Sequence, residues 1–316
     1  MIPVRVASRS VAAQDIIRLE LEALEGASLP PFTAGSHIDL ILGNGLTRQY
    51  SLCNAPGMDD VYRIAVLREP SSRGGSQFVH DVLAEGATLH VSPPRNLFDL
   101  DETAESFVLA AGGIGVTPLL AMAYKLHAVG KPFVLHYCAR EPSRAAFLDE
   151  LGAAPFAHRV RLHFDVDPTT RLSLDEALAG PAPTRSLYIC GPNGFMDFVA
   201  EGAIKRGWAA ERIHREYFAG AAVKAEGDQP FDIVLASTGQ TLTVGADQTA
   251  AEVLEAAGVF IPLSCEQGVC GTCLTTVLAG RPDHRDMFQT DDERQSNLAF
   301  TPCCSRALTP SLTLEL

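Results

Sequence analysis

The chain has 316 residues, 47% of them hydrophobic, and a formal net charge of −13. This length predicts two or three domains with packed cores, and the acidic balance argues against a nucleic-acid partner, whose phosphates require a basic surface. No apolar stretch reaches the ~18 residues of a membrane span, and residues 1–5 lack a signal-peptide core, so we expect a cytoplasmic protein with reduced thiols.

The first hundred residues have the pattern of short strands and turns. Strand-like runs lie at residues 15–21, 36–42, 48–52 and 61–67, and clusters rich in Gly, Asn and Pro separate them. Repeated short strands with such turns predict an antiparallel barrel. One helix is predicted from Ser76 to about Leu83, with Ser76 as its N-cap.

The pattern changes near Phe107. Short apolar runs at 106–111, 132–138, 159–164 and 186–190 alternate with helix-compatible segments such as 118–126. This alternation predicts a parallel sheet with crossover helices. The Pro-Pro-Arg-Asn segment at 93–96 marks the predicted join to the first domain.

Two glycine-containing loops end predicted strands at the same edge of this sheet. The segment 112–118, Gly-Gly-Ile-Gly-Val-Thr-Pro, precedes a predicted helix, and Cys190-Gly191-Pro192 ends a later strand. Glycines permit the close approach of a phosphate, and a helix N-terminus supplies N–H donors. The pair favours a dinucleotide cleft. Because the first loop is not G-x-G-x-x-G, an ordinary strand–turn–helix loop is the alternative.

A third region begins near residue 219. Small residues from 219 to 230 predict a linker, followed by a hairpin at 231–235 and 240–244 and a helix at 249–257. From residue 231 to the end, eleven Asp and Glu oppose four Lys and Arg, a net charge of −7. This acidity indicates either simple solubility or a docking face for a basic electron-transfer partner.

Four cysteines in the third region give the strongest functional signal. Cys265, Cys270 and Cys273 have C-x4-C-x2-C spacing, and Cys303 follows thirty residues later. This is the plant-type arrangement of a [2Fe–2S] cluster, in which four soft thiolates hold two irons. The sequence therefore predicts an iron–sulfur protein that handles single electrons.

The local sequence favours this interpretation over three alternatives. Gly268 and Gly271 are expected to let the backbone curl and aim amide N–H groups at the sulfurs. A thioredoxin-like pair would leave Cys265 and Cys303 unexplained. A zinc site usually has two C-x2-C pairs, and disulfides need an oxidising compartment. Cys53, Cys138 and Cys190 are interpreted as small buried hydrophobes.

Two segments of the first region have residues suited to a flavin. In Arg48-Gln49-Tyr50-Ser51, Arg48 and Tyr50 share one face of a strand, which suits a ring stacked on an isoalloxazine with a cation near a phosphate. The 73–76 segment, Arg-Gly-Gly-Ser, opens the predicted helix and would hold a phosphate there. The alternatives are a half-exposed strand and a capped glycine turn.

In this order, the motifs resemble the phthalate dioxygenase reductase family, the flavin- and iron–sulfur-containing reductases of Rieske oxygenase systems. The resemblance spans essentially the whole chain. Besides the motifs above, it rests on the segments 94–98, 216–218, 283–286 and 303–306. It implies an FMN-binding antiparallel β-barrel domain at 1–102, an NAD-binding α/β parallel-sheet domain at 103–222 and a plant-type ferredoxin (β-grasp) domain at 231–316.

The resemblance also implies roles for individual residues, with the chemistry carried by the cofactors rather than by a general acid or base. The residues that would contact the flavin or its phosphate are Arg48, Tyr50, Ser51, Val66, Arg73, Gly74, Gly75, Ser76 and Phe218. Those that would bind the nucleotide or line its nicotinamide side are Gly113, Gly115, Thr117, Arg140, Cys190, Gly191, Pro192 and Glu216. The cluster ligands would be Cys265, Cys270, Cys273 and Cys303, with Cys304 at a position that is usually not a ligand.

The implied activity is electron transfer from NADH through FMN and [2Fe–2S] to a separate terminal Rieske-type oxygenase acting on an aromatic or quaternary-amine substrate. A monomer without a nucleic-acid or membrane partner is expected. For the nucleotide, Glu141 would disfavour a 2′-phosphate, whereas Arg140 and Arg144 would tolerate one, and NADH is favoured by the resemblance. The alternatives are a reductase for a cytochrome P450 and a redox sensor or ferredoxin-like module without turnover.

Overall fold

A computed structural model describes residues 1–25, 28–58, 60–70, 72–218, 220 and 227–316. The chain divides into two compact units, Met1–Glu216 and Tyr217–Leu316. The first unit contains an antiparallel sheet and a parallel sheet, and the second contains a mixed sheet. The domain limits 1–102, 103–222 and 231–316 stay a prediction.

The antiparallel sheet forms the predicted barrel. Within the described residues its strands are β1 (Ile2–Ala13), β2 (Ile16–Ala23), β3 (Ser36–Ile41), β4 (Thr47–Ser51), β5 (Tyr62–Leu67), β6 (Thr88–Val91) and β7 (Arg95–Asn96). They run in the order β4-β3-β6-β1-β2-β5, and β7 pairs with β3. Beyond β4, the Cys53 N–H donates to the Arg63 carbonyl on β5 at 2.9 Å, which links the two ends of this order. The interior is apolar, with Leu19, Ile38 and Ile64 fully buried.

The structure adds detail at two places in this region and corrects the predicted N-cap. Strand β1 was not predicted, because its sequence alternates weakly and its burial depends on pairing with both β2 and β6. The Pro-Pro-Arg-Asn join stays a prediction, and its residues 95–96 form β7, which pairs with β3. Ser76 is not an N-cap. Helix α1 (Gly75–Val82) enters from Gly74, whose φ of +89° favours glycine, and the Ser76 hydroxyl bonds instead with Ser72.

The parallel sheet forms the second half of the first unit. Its strands, among the described residues, are β8 (Ser106–Gly112), β9 (Phe133–Ala139), β10 (Val160–Phe164), β11 (Arg185–Cys190) and β12 (Ile213–Glu216). Its helices are α2 (Val116–Ala128), α3 (Leu148–Ala153), α4 (Leu174–Ala177) and α5 (Asn193–Lys205). The strands are added on one side of β8 as far as β10 and then on its other side from β11, in the order β10-β9-β8-β11-β12. Open α/β sheets bind ligands at the carboxyl ends of the strands beside such a switch point.

The second unit has the predicted ferredoxin-like sheet. Over its described residues the sheet order is β14-β13-β19-β15-β17, from β13 (Phe231–Leu235), β14 (Thr241–Val244), β15 (Thr275–Ala279), β17 (Ala299–Phe300) and β19 (Ser311–Leu314). Strands β16 (Pro282–Asp283) and β18 (Arg306–Ala307) pair separately. Helices α6 (Ala250–Ala256) and α7 (Asp291–Ser296) each begin with a Thr–Glu capping box. The predicted hairpin is confirmed as β13–β14.

The predicted linker falls largely on residues 219 and 221–226, which lie outside the described residues. Arg306, near the end of the second unit, contacts the last residues of that predicted segment. Arg306 is 3% exposed, and its guanidinium donates to the carbonyls of Gln229, Gly245 and Gln248 at 2.8–3.0 Å and lies 3.7 Å from Asp228. None of the helices in the described ranges has the length and hydropathy needed to cross a membrane.

Candidate functional site

The two predicted nucleotide loops meet where the strand order reverses. Gly113–Gly115 forms a short 3-10 turn after β8, and α2 starts at Val116 without a side-chain cap. A Cβ on Gly115 would overlap the Cys190 carbonyl oxygen, so glycine is required for the loops to pack. The Thr117 hydroxyl is buried and donates to the Ile114 carbonyl at 3.0 Å. The uncapped start of α2 therefore lies beside the Cys190-Gly191-Pro192 turn, as a dinucleotide cleft requires.

A buried carboxyl connects this edge to the barrel. Glu216 ends β12 directly opposite Cys190 on β11, and it is hydrogen-bonded to the Ser51 side chain at the end of β4. Burial raises the pKa of Glu216 to about 8, although the hydrogen bond from Ser51 acts to lower it. Glu216 Oε2 is buried without a hydrogen-bond partner among the described residues. The structure thus brings together Ser51, Cys190 and Glu216.

Burial also changes the chemistry of Cys190. It raises the pKa of the Cys190 thiol well above its usual value, and the neighbouring Glu216 acts in the same direction. Cys190 is therefore a neutral thiol at physiological pH rather than a nucleophile.

The arginine strand and the predicted phosphate loop also come together. Arg48 Nη1 donates to the Thr47 carbonyl at 2.7 Å, and its Nη2 lies 3.5 Å from the Arg73 carbonyl. The Arg48 side chain crosses over Gly75, where a Cβ would lie 2.6 Å from Arg48 Cγ. Burial raises the pKa of the Tyr50 phenol, against the charge of Arg48. A guanidinium thus lies beside the start of α1, the arrangement that suits an anion.

Three other predicted site residues have different surroundings. Val66 has its side chain in the barrel core, and its carbonyl is 2.9 Å from His80 Nε2. Arg140 is exposed directly after β9. Phe218 belongs to the second unit and is 40% exposed. Of these, Arg140 lies at a carboxyl strand end of the parallel sheet, where nucleotide contacts are expected.

Charges next to Arg140 are already paired. Arg144 Nε lies 3.4 Å from Glu141 Oε1, and Arg144 Nη1 lies 3.3 Å from Asp15 Oδ2. Glu141 and Arg144 were the residues expected to disfavour and tolerate a 2′-phosphate. Arg144 is thus engaged by two carboxylates, whereas Arg140 is exposed at the end of β9.

The four predicted cluster ligands are buried and lie in two pairs. A hydrogen bond joins the thiols of Cys265 and Cys270. Cys273 Sγ lies 3.3 Å from Cys303 Sγ, which is also hydrogen-bonded to the neighbouring Cys304 thiol. Each iron of an all-cysteine [2Fe–2S] cluster takes two thiolates, so two pairs are the donor set that it needs. No group of three or more metal-ligating side chains surrounds a single point in the part of the chain that the structure describes.

Backbone groups in the cysteine loop suit anionic sulfur. The Gln267 N–H donates to Cys265 Sγ at 3.4 Å, and the Thr272 N–H donates to Cys270 Sγ at 3.5 Å. The hydrogen bond from the Cys265 thiol lowers the pKa of Cys270. Such donors stabilise the thiolates that iron binds. The residues present therefore fit a [2Fe–2S] cluster.

The fold also uses residues that the sequence did not assign to the site. A Cβ on Gly268 (φ +72°) would overlap Cys304 Sγ and crowd Asp286, and a Cβ on Gly271 (φ +67°) would overlap the ring of Phe288. The Met287 N–H donates to the Gly268 carbonyl at 2.8 Å. The nearest signal was the 283–286 segment, but nothing in its composition indicates that the residues after it brace the cysteine loop.

Comparisons with known proteins place these features in one family. Residues 233–308 match the model of the 2Fe-2S iron-sulfur cluster binding domain. The chain is 51% identical to a vanillate O-demethylase oxidoreductase of a Pseudomonas species (strain HR199), with both chains covered over 100% of their lengths. The solved structure of phthalate dioxygenase reductase superposes with a TM-score of 0.79, at 39% identity over 99% of this chain and 97% of that one. The chain belongs to the phthalate dioxygenase reductase family.

The reductase also resembles part of a larger enzyme. An intact type IV self-sufficient cytochrome P450 monooxygenase superposes with a TM-score of 0.85 at 38% identity, and the match covers 100% of this chain but 41% of that one. The fold class and the family predicted from the sequence are confirmed. The reductase is an oxidoreductase, a flavoprotein with a [2Fe–2S] domain, and an electron-transfer component of an oxygenase system.

Proposed function

We propose that the reductase takes a hydride from NADH onto FMN, passes electrons singly to its [2Fe–2S] cluster, and delivers them to a separate terminal Rieske-type oxygenase. The observation that carries this proposal is the meeting of Ser51, Cys190 and Glu216. It joins the strand expected to hold the flavin to the loops expected to hold the nicotinamide. When bound, the flavin accepts two electrons together and the cluster carries one at a time.

The side chains contribute binding and positioning. The uncapped start of α2 and the exposed Arg140 would hold the pyrophosphate and ribose side of NADH. Arg48 and the first turn of α1 would hold the FMN phosphate. Because its pKa is about 8, Glu216 retains a proton at neutral pH and can donate a hydrogen bond from Oε2 to a group beside it.

Transfer to the partner would use the surface next to the cysteine loop. Helix α7 places Asp291, Asp292 and Glu293 in its first turn. Phe288, which packs on Gly271, is 37% exposed, and Leu274, directly after Cys273, is 41% exposed. An apolar centre with an acidic flank suits a partner whose docking face is apolar at its centre and basic at its rim.

The test is reconstitution with purified components. Released flavin should be FMN at about one per chain, and NADH should reduce a dye and a Rieske oxygenase, whose own cluster absorbance would bleach. A flavin identified as FAD would contradict the FMN assignment. A cytochrome P450 is the second candidate acceptor, because the self-sufficient P450 monooxygenase contains a matching region. Reduction of a P450 without reduction of a Rieske component would favour it.

We further propose that the reductase acts as a cytoplasmic monomer. One chain supplies the barrel, the nucleotide cleft and the cysteine pairs, so no second copy is needed to complete a site. Sedimentation of the cofactor-loaded protein at about the 33.8 kDa of one chain would support this, and a stable dimer would contradict it.

A further inference from the structure

Glu150, a residue outside every recognised motif, contacts both halves of the first unit. It lies on α3 and accepts hydrogen bonds at Oε1 from Arg63 Nη1 at 3.1 Å and from the Tyr124 hydroxyl at 2.8 Å. Arg18 Nη1 lies 3.9 Å from Oε2. Arg18 and Arg63 are on barrel strands β2 and β5, whereas Tyr124 is on α2, beside the parallel sheet. One carboxylate therefore joins the barrel to the helix that follows the nucleotide loop.

The contacts of Glu150 are directional and shielded. The side chains of Arg63 and Glu150 are 18% and 20% exposed, so water screens their attraction less than it screens a surface pair. Arg63 Nε also donates to Glu20 Oε1 on β2 at 3.1 Å. The planar guanidinium of Arg63 is therefore held by Glu20 at one edge and by Glu150 at another. These two contacts fix its orientation, and with it the position of the Glu150 carboxylate.

Arg63 and Tyr124, the two hydrogen-bond donors to Glu150, each lie on an element that leads to a proposed cofactor site. The Arg63 carbonyl accepts the Cys53 N–H, two residues beyond Ser51, and Val66 lies three residues further along β5. At the other end, Tyr124 is in the third turn of α2, whose first residue follows the Gly113–Gly115 turn. A shift of Glu150 would therefore move the nucleotide loop relative to the flavin-side strands.

Besides the Ser51–Glu216 hydrogen bond and the Asp15–Arg144 ion pair, which lie away from α2, apolar packing holds the barrel against α2. Ile16, Cys53 and Ala65 of the barrel belong to one buried cluster with Leu119 and Leu120 of α2. Hydrophobic attraction is non-directional, so this cluster keeps the halves in contact while permitting small rotations. We propose that Glu150 is a positioning residue for hydride transfer: it sets the orientation of the nucleotide helix against the barrel. This inference rests on the proposed function.

The test substitution is Glu150→Gln in the cofactor-loaded chain. Glutamine keeps the size and can still accept from Tyr124, but it loses the charge that attracts Arg63 and Arg18. At saturating NADH, the single-turnover rate constant of flavin reduction should fall roughly tenfold, since small misplacements of reacting groups are costly. Flavin content should be unchanged. The spectral change that saturating NAD⁺ induces in the oxidised flavin should be altered, which reports stacking independently of turnover.

Two further variants complete the test. Tyr124→Phe removes only the contact with α2 and should lower the same rate constant by a smaller factor, and the double variant should be less than additive because the residues act together. Glu201→Gln, which removes an exposed i,i+4 pair with Lys205, should leave the rate constant within twofold of wild type.

The outcomes separate this inference from the proposed function. Wild-type rate constants and NAD⁺ spectra in both Glu150→Gln and Tyr124→Phe would overturn the positioning role. Equal losses in Glu150→Gln and Glu201→Gln would overturn it as well. A wild-type protein whose flavin NADH does not reduce would instead defeat the proposed function. If Glu150→Gln fails to fold, Tyr124→Phe still decides the question through its rate constant.

Discussion

The substitution Glu216→Gln should stabilise the first unit. The folded state keeps this carboxyl neutral up to a pKa of about 8, whereas the unfolded chain ionises it near its ordinary pKa of 4.5. Between those two pH values the unfolded state binds fewer protons, so the free energy of unfolding falls as pH rises. Each pH unit above the unfolded-state pKa lowers the free energy of unfolding by about 1.4 kcal/mol. At pH 7 the buried carboxyl has therefore lowered it by about 3 kcal/mol.

Glutamine removes this ionisation and keeps an acceptor for Ser51. Thermal unfolding of the flavin-loaded protein, followed by flavin fluorescence, should show a higher midpoint for Glu216→Gln at pH 7, by about 6–12 °C. The difference should nearly vanish at pH 4.5 and grow up to pH 8. The rate of flavin reduction by NADH should be largely retained, because the glutamine amide can donate from Nε2 where the protonated carboxyl donates from Oε2.

A matched control is Glu211→Gln, which changes an exposed carboxyl five residues earlier. Its midpoint should track wild type across the whole pH range. If the midpoints of wild type and Glu216→Gln differ by the same amount at pH 4.5 and pH 8, the carboxyl is not held neutral and the reasoning is wrong.

Three other predictions concern the second unit. Cys303→Ser should abolish or destabilise the cluster, measured as iron content and the EPR signal of the reduced protein, whereas Cys304→Ser should largely spare it; the reverse pattern would show that Cys304 is the ligand. Ending the chain at about Gly220 should leave a flavoprotein that oxidises NADH with ferricyanide but no longer reduces cytochrome c, and full-rate reduction by the truncated protein would mean that electrons leave from the flavin. Asp291→Asn with Asp292→Asn should lower kcat/KM for cytochrome c, a basic protein, roughly threefold or more at low salt, with the gap closing as ionic strength rises. An unchanged value would move the docking surface elsewhere.

Local patterns were predictable from the sequence, and encounters between distant segments were not. The spacing of Cys265, Cys270 and Cys273 lies within nine residues, so cluster geometry constrains it directly. The glycine loop after β8 is likewise a local signal. In contrast, the contact of Ser51 with Glu216 joins residues 165 positions apart, and no periodicity in either segment reports it.

The errors have the same physical origin. Ser76 has the composition of an N-cap, but the left-handed backbone at Gly74 and the nearby Ser72 hydroxyl decide how α1 begins. Glu150 has the sequence context of an ordinary surface helix. Its role depends on two arginines supplied by strands more than eighty residues earlier. Tertiary context overrides local preference at both positions.

The buried Arg306 also bears on how the protein matures. Its bonds to the carbonyls of Gln229, Gly245 and Gln248 involve no cysteine, so they hold the two ends of the second unit together independently of iron. Zinc fingers, by contrast, remain unfolded until metal arrives. An iron-free form of this unit should retain amide hydrogen-exchange protection in β13 and β19, and its loss on iron removal would contradict this. The cluster would then be inserted into a domain that has already folded, rather than drive the folding of the newly made chain.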